Sequence, residues 1–335
     1  MRRASYSTVK QGHIVPAAYQ RNFAVDEMVA VHVPGRADCV RLNVANAGTR
    51  GPFYRRTRSD GSQMDDIEAM LASLEDVAGP VLKEVAAGAP LTLERKGVLA
   101  QFLGMQMLRG PAFFSAQHVN IEQFVPKALT TAHVTPLLLE QTGADLVLAR
   151  QRIVEMYRQP TQMLMTMATV SLKVAGVLGS MRWQLLRFDA PVVAYSDQPV
   201  VVWPLSIDGF EIAPTEPTFG PLEALEVRVP LSPHLALLMT WVDKPDGQEQ
   251  VAADEMYAAE TNAMVIAQAD KQWMHRVGGE PPVADGPLRP LSSVFEDRYT
   301  ADTAGHSRRR ATTAAILHRV RKKRIINDIE LVTIS

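Results

Sequence analysis

Arg182-Trp183-Gln184-Leu185-Leu186-Arg187-Phe188, Val192-Val193-Ala194-Tyr195 and Val200-Val201-Val202-Trp203 are three short runs rich in aromatic and β-branched residues. Asp189-Ala190-Pro191 separates the first two, and Ser196-Asp197-Gln198-Pro199 separates the second from the third. Each run has the length and composition of a strand, and each separator has turn chemistry. No helix fits between them. Successive strands of this kind argue against a doubly wound α/β fold and for α+β.

Working outward, residues 226–231 and 235–242 read as a second hairpin about Ser232-Pro233. A Pro-rich loop is expected over 204–222, and a long late helix over about 252–275. Upstream, residues 28–33 and 39–44 have strand character and flank Pro34-Gly35, which predicts an N-terminal β-hairpin. The rest of the first half is mostly helical. Ile67, Met70, Leu71, Leu74, Ala78, Val81, Leu82 and Val85 follow helical periodicity. Asp65 and Asp66 suit the positive end of that helix, Pro80 kinks or restarts it, and Gly88 and Pro90 end it. Further helices are expected over about 92–109, 112–128, 143–157 and 161–178.

The chain has 335 residues, of which 47% are hydrophobic and 21% charged, enough for a sizeable core. No linker composition interrupts it, so residues 1–300 are expected to form a single α+β domain. Residues 301–335 are expected to form a basic C-terminal tail or helix. Positions 308–335 hold eight Lys and Arg against Asp328 and Glu330, while the whole chain has a net charge of −1. A basic tail on an acidic body is suited to nucleic acid or anionic lipid, and equally to a solvated helix face.

Cys39 stands alone, so no internal disulfide and no cysteine zinc site are expected. The N-terminus has no apolar run of the signal-peptide type. Residues 163–181 are largely apolar but carry Lys173 and Ser171, so they read as a buried helix and no membrane span is expected. These features suit a cytoplasmic protein. The sequence leaves the oligomeric state open.

His13-Ile14-Val15-Pro16-Ala17-Ala18-Tyr19-Gln20-Arg21-Asn22-Phe23 gives an H-x-V-P-x-x-Y-x-x-x-F signature. Three further stretches follow: Tyr195-Ser196-Asp197-Gln198-Pro199-Val200 after Trp183, Val229-Pro230-Leu231-Ser232-Pro233, and Asn262 with Ala267. In this order and spacing, over about residues 10–275, they resemble an uncharacterised bacterial domain-of-unknown-function family. The resemblance implies positions and no reaction.

Pro16 holds Val15 extended and starts a helix on which Tyr19 and Phe23 share a face. His13, just before it, is either a catalytic or metal-binding imidazole or a hydrogen-bonded element of the fold. Glu75 lies beside the apolar stripe of its helix, where a carboxylate needs a partner. Either Arg109 pairs with it, or Glu75 is a base or metal ligand. Asp197, on a turn at a strand end, either binds its own backbone or is offered as a ligand or base. Asn262 either bonds a buried turn or contacts substrate.

The sequence has no phosphate-binding glycine loop, dinucleotide fingerprint, H-E-x-x-H or G-x-S-x-G. Its eight histidines are scattered, with no pair at metal spacing. Two functions are therefore expected as alternatives. One is a metal-dependent hydrolase or nuclease, with His13, Asp197 and Glu75 around Mg or Mn. Arg109, Arg55, Arg56, Tyr19 and Asn262 would bind its anionic, phosphate-containing substrate. The other is a non-catalytic module binding nucleic acid or protein through the basic tail and the Arg50–Arg58 loop.

Overall fold

A computed structural model of the chain describes residues 12–33, 36, 38–50, 56–57, 63–64, 66–110, 113, 140–143, 145–158, 160–204, 224–240 and 250–284. The first half contains β1 (Gly12–His13), α1 (Ala17–Gln20), β2 (Met28–His32), β3 (Val40–Asn43), β4 (Thr49–Arg50), β5 (Arg56–Thr57) and β6 (Gln63–Met64). The helices α2 (Asp66–Ala86), α3 (Leu93–Leu108), α4 (Leu146–Tyr157) and α5 (Pro160–Ser180) follow. The second half contains β7 (Arg182–Arg187), β8 (Tyr195–Ser196), β9 (Val201–Pro204), β10 (Ala224–Ser232), β11 (Leu235–Thr240), β12 (Gln250–Ala252), α6 (Glu255–Ala267) and β13 (Trp273–Arg276).

Local chemistry sets the helix ends. The Thr92 side chain accepts the Arg95 N–H at the start of α3, and Asp145 accepts from Val147 and Leu148 at the start of α4. Pro80 is accommodated inside α2. Leu82, Val85, Leu99, Leu103, Ala175 and Leu178 line one core shared by α2, α3 and α5. Gly104 lets α3 approach α5 closely: a Cβ there would stand 2.6 Å from the Ser171 carbonyl oxygen.

A five-stranded sheet, in the order β12-β7-β11-β10-β9, lies against this core. Its pairs are antiparallel except β12 with β7. Leu185, Val227, Val229 and Leu237 face the helices, while Leu186, Ala236 and Leu238 pack on Tyr257 and Ala258 of α6. Strand alternation thus gives the sheet two buried faces.

A four-stranded antiparallel sheet, β3-β2-β13-β8, closes the molecule on another side of the core. Val29, Val31, Tyr195 and Met274 point into the core. The alternate residues therefore face outward: Ala30 and His32 on β2, Arg41 on β3, Trp273 and His275 on β13.

The α+β class, the N-terminal hairpin and the antiparallel middle strands are all present. The late helix differs from expectation: α6 ends at Ala267, and residues 273–276 are strand β13. Two contacts stop the helix. Gln268 turns its side-chain amide onto both backbone groups of Val202, and Asp197 binds the backbone N–H groups of Asp270 and Lys271. β13 then finds its partners on β2, far away in sequence. The helix expected over 112–128 and the tail from 301 lie outside the described residues. No helix among the described residues is long and apolar enough to cross a membrane.

Candidate metal centre

Three of the signature stretches meet through hydrogen bonds, and Asn262 of the fourth bonds the segment just before Tyr195. Tyr19 Oη donates to the Pro230 carbonyl, and Asn22 donates to that of Leu231 at 3.2 Å. Gln20 donates to the carbonyls of Val15 and Ala47, and its own oxygen accepts from Tyr195 Oη at 3.2 Å. Asn262 accepts from the Ala194 N–H and donates to the carbonyls of Val192 and Pro282. Buried polar groups are thereby satisfied across elements distant in sequence. The Tyr19 and Tyr195 rings pack edge to face at 5.8 Å.

Burial pushes the Tyr195 hydroxyl pKa up, and that of Tyr19 well up, with the neighbouring Tyr195 adding to the rise at Tyr19. Both are neutral hydrogen-bonding groups of the core.

The expected catalytic residues have separate partners. His13, on β1, lies with Nε2 3.2 Å from the Val44 carbonyl, so that nitrogen carries the proton. Asp197 is 3% exposed and accepts two backbone N–H groups at 2.8 Å each. Glu75 and Arg109 do come together, as an ion pair between α2 and the end of α3. Arg55 and the side chain of Arg56 lie outside the described residues.

Another group of side chains does converge. His32 Nε2 and His275 Nε2 stand 3.0 Å apart. With Cys39 Sγ they form a cluster whose donor atoms all lie within 4.8 Å of one another. The register explains it: Met28 pairs with Asn43 and Val31 with Val40, so the next position sets His32 opposite Cys39. On the other side, His32 pairs with Trp273 and Ala30 with His275. The His32 and Trp273 rings stack at 3.8 Å with an interplanar angle of 2°, which fixes the imidazole plane.

His275 Nδ1 lies 2.8 Å from the Arg276 carbonyl oxygen. A carbonyl only accepts, so Nδ1 carries the proton and Nε2 offers its lone pair. This is the backbone support that metal-ligating histidines commonly have. Without a metal, His32 Nε2–H donates to His275 Nε2; a cation between them requires His32 to hold its proton on Nδ1.

Burial lowers the pKa of both imidazoles. At His275 the charge of His32 lowers it further, while the backbone hydrogen bond to Arg276 and the Glu280 carboxylate oppose the shift. Both rings are thus biased toward the neutral form that a metal needs.

In a tetrahedral zinc site, two ligating nitrogens stand roughly 3.3 Å apart and a nitrogen and a sulfur about 3.6 Å apart. The imidazole pair is within a few tenths of an ångström of that. Cys39 is exposed, at the entry to β3, and has about an ångström to close.

Sequence reasoning missed this cluster. The expected hairpin places Cys39 and His32 on adjacent strands, but the register that sets them opposite each other is seen only in the structure. His275 was hidden inside a stretch read as helix.

A family model matches residues 11–277. The chain belongs to DUF4238, described as a protein of unknown function. The matched span holds all four signature stretches together with His32, Cys39 and His275. Neither curated proteins nor solved structures gave a match to the chain.

Proposed function

We propose that this DUF4238 chain is a metal-dependent hydrolase whose cation is held by His32 Nε2, His275 Nε2 and Cys39 Sγ. The observation that carries the reading is the convergence of the two imidazoles, Nε2 to Nε2 at 3.0 Å, beside the thiol. Three protein donors leave a fourth tetrahedral position for water or substrate, the pattern of catalytic rather than structural zinc sites. A zinc-class ion there supplies Lewis-acid polarisation and an activated water at neutral pH.

Nitrogen and sulfur donors favour a zinc-class ion over the Mg or Mn suited to the His13–Asp197–Glu75 arrangement. In this reading Asp197 is a positioning residue. It pins the turn at Asp270 and Lys271, and that turn delivers Trp273 and His275 to His32. Asn262 holds the strand entering β8 in the same way. Glu280, whose charge acts on His275, is the carboxylate assigned as general base in this reading.

Metal analysis and Zn²⁺ titration of the purified full chain test the reading. About one equivalent should bind the wild type, and His32→Ala and His275→Ala should lose it while keeping native unfolding cooperativity. Absence of saturable binding in the wild type overturns the metal centre. Saturable binding, with no zinc-dependent hydrolysis of activated carboxylic or phosphoric esters above the His275→Ala background, overturns the hydrolase.

A further inference from the structure

We infer that Arg41 is the anion-binding residue of the His32–Cys39–His275 centre, so that the site takes a substrate bearing a phosphate group. The inference rests on the metal reading above and names the substrate class of that same site.

The argument starts from the sheet register. Ala30 pairs with Arg41 on one side and with His275 on the other. Two positions on, His32 pairs with Trp273, and continuing the β2–β3 register by one residue beyond Val31 and Val40 sets it opposite Cys39. Since Ala30 and His32 share a face, so do all their cross-strand partners. The outer face of the sheet therefore presents two rows: Arg41, Ala30 and His275, then Cys39, His32 and Trp273. Ala30, a small apolar residue, stands between Arg41 and His275 in the first row. Two strand spacings separate the Arg41 and His275 backbones by about 10 Å. An extended arginine side chain spans most of that distance, so its planar donor fork is within reach of the open metal position.

Arg41 is exposed, and its side chain forms no hydrogen bond or ion pair among the described residues. This contrasts with Arg21, Arg95, Arg109 and Arg228, each of which pairs with a glutamate. A divalent ion with one thiolate and two neutral imidazoles has one net positive charge. Arg41 adds one and Glu280 removes one, so the site stays cationic. A phosphate can give one oxygen to the metal and two to the guanidinium, the bidentate geometry that favours arginine over lysine.

The test uses the full chain loaded with Co²⁺, whose visible d–d bands report on the fourth ligand, and inorganic phosphate as probe. Phosphate should shift the bands saturably in the wild type. Arg41→Ala should weaken phosphate at least tenfold, leave Co²⁺ affinity within about twofold, and be partly rescued by Arg41→Lys. A saturable Co²⁺ spectrum with equal phosphate affinity in wild type and Arg41→Ala overturns the assignment of Arg41 alone. No saturable Co²⁺ spectrum in the wild type overturns the metal reading and this inference with it.

Discussion

Asp197 and Lys271 are joined by a carboxylate-to-amide hydrogen bond of 2.8 Å, and the second oxygen of Asp197 accepts from Asp270 at the same distance. The carboxylate is buried and caps the turn between α6 and β13. Asp197→Ala should cost roughly 1–3 kcal/mol, because two backbone amides lose a charged acceptor and the turn loses its cap. Asp197→Asn keeps one acceptor and should cost less. Denaturant unfolding measures both. A further consequence separates a positioning role from a merely local one: Zn²⁺ affinity should fall in Asp197→Ala although the residue is not a ligand.

Glu75 and Arg109 form a largely buried ion pair, with side-chain exposures of 23% and 4%. Removing one partner of such a pair takes a charge-assisted hydrogen bond from the other. Glu75→Ala should therefore destabilise by about 2–4 kcal/mol, with metal stoichiometry unchanged. Loss of bound metal in a still-folded Glu75→Ala would return this carboxylate to the list of ligands.

Gly104→Ala tests the packing of α3 against α5. The added methyl would meet backbone atoms at Ser171 and Ala175, which cannot swing aside as a flexible side chain can. The helices must separate, at a cost of roughly 1–3 kcal/mol from overpacking. Thermal unfolding should show the loss. The neighbouring Gly97, whose Cβ would meet nothing within 4 Å, provides the control. Gly97→Ala should be neutral or stabilising, because it lies inside a helix.

Tyr19 and Tyr195 set an alkaline limit. Their folded pKa values lie above the ordinary 10.0, so above that pH the unfolded chain releases protons that the folded chain keeps. Their contribution to stability is complete below about pH 10 and is lost as the pH rises past it, at about 1.4 kcal/mol per pH unit for each group. Tyr195→Phe should lose stability at neutral pH with its hydrogen bond to Gln20, and should then fall less steeply than the wild type between pH 10 and 11.5. Parallel slopes would show that Tyr195 ionises freely in the native state.

Much of the fold was legible because it is local. The β2–β3 hairpin, α2, α3 and the β10–β11 hairpin follow from periodicity, caps and turn residues that act within a few positions. The signature residues were legible as a set, but their purpose was not. His13 reads as a candidate imidazole in sequence, whereas in three dimensions it bonds the Val44 carbonyl. Tyr19, Asn22 and Asn262 also hold carbonyls of distant segments.

The sequence by itself determined the α+β class, the family and the presence of the N-terminal hairpin, since each depends on short-range pattern. Only the tertiary structure decided that residues 273–276 are a strand and that His275 meets His32. The physical reason is that β13 has little to hold it extended on its own. Its hydrogen bonds come from β2, some 243 residues away at the two histidines, and from β8, while the Asp197 carboxylate fixes the turn before it. A site assembled by such non-local pairing leaves no spacing rule in the chain.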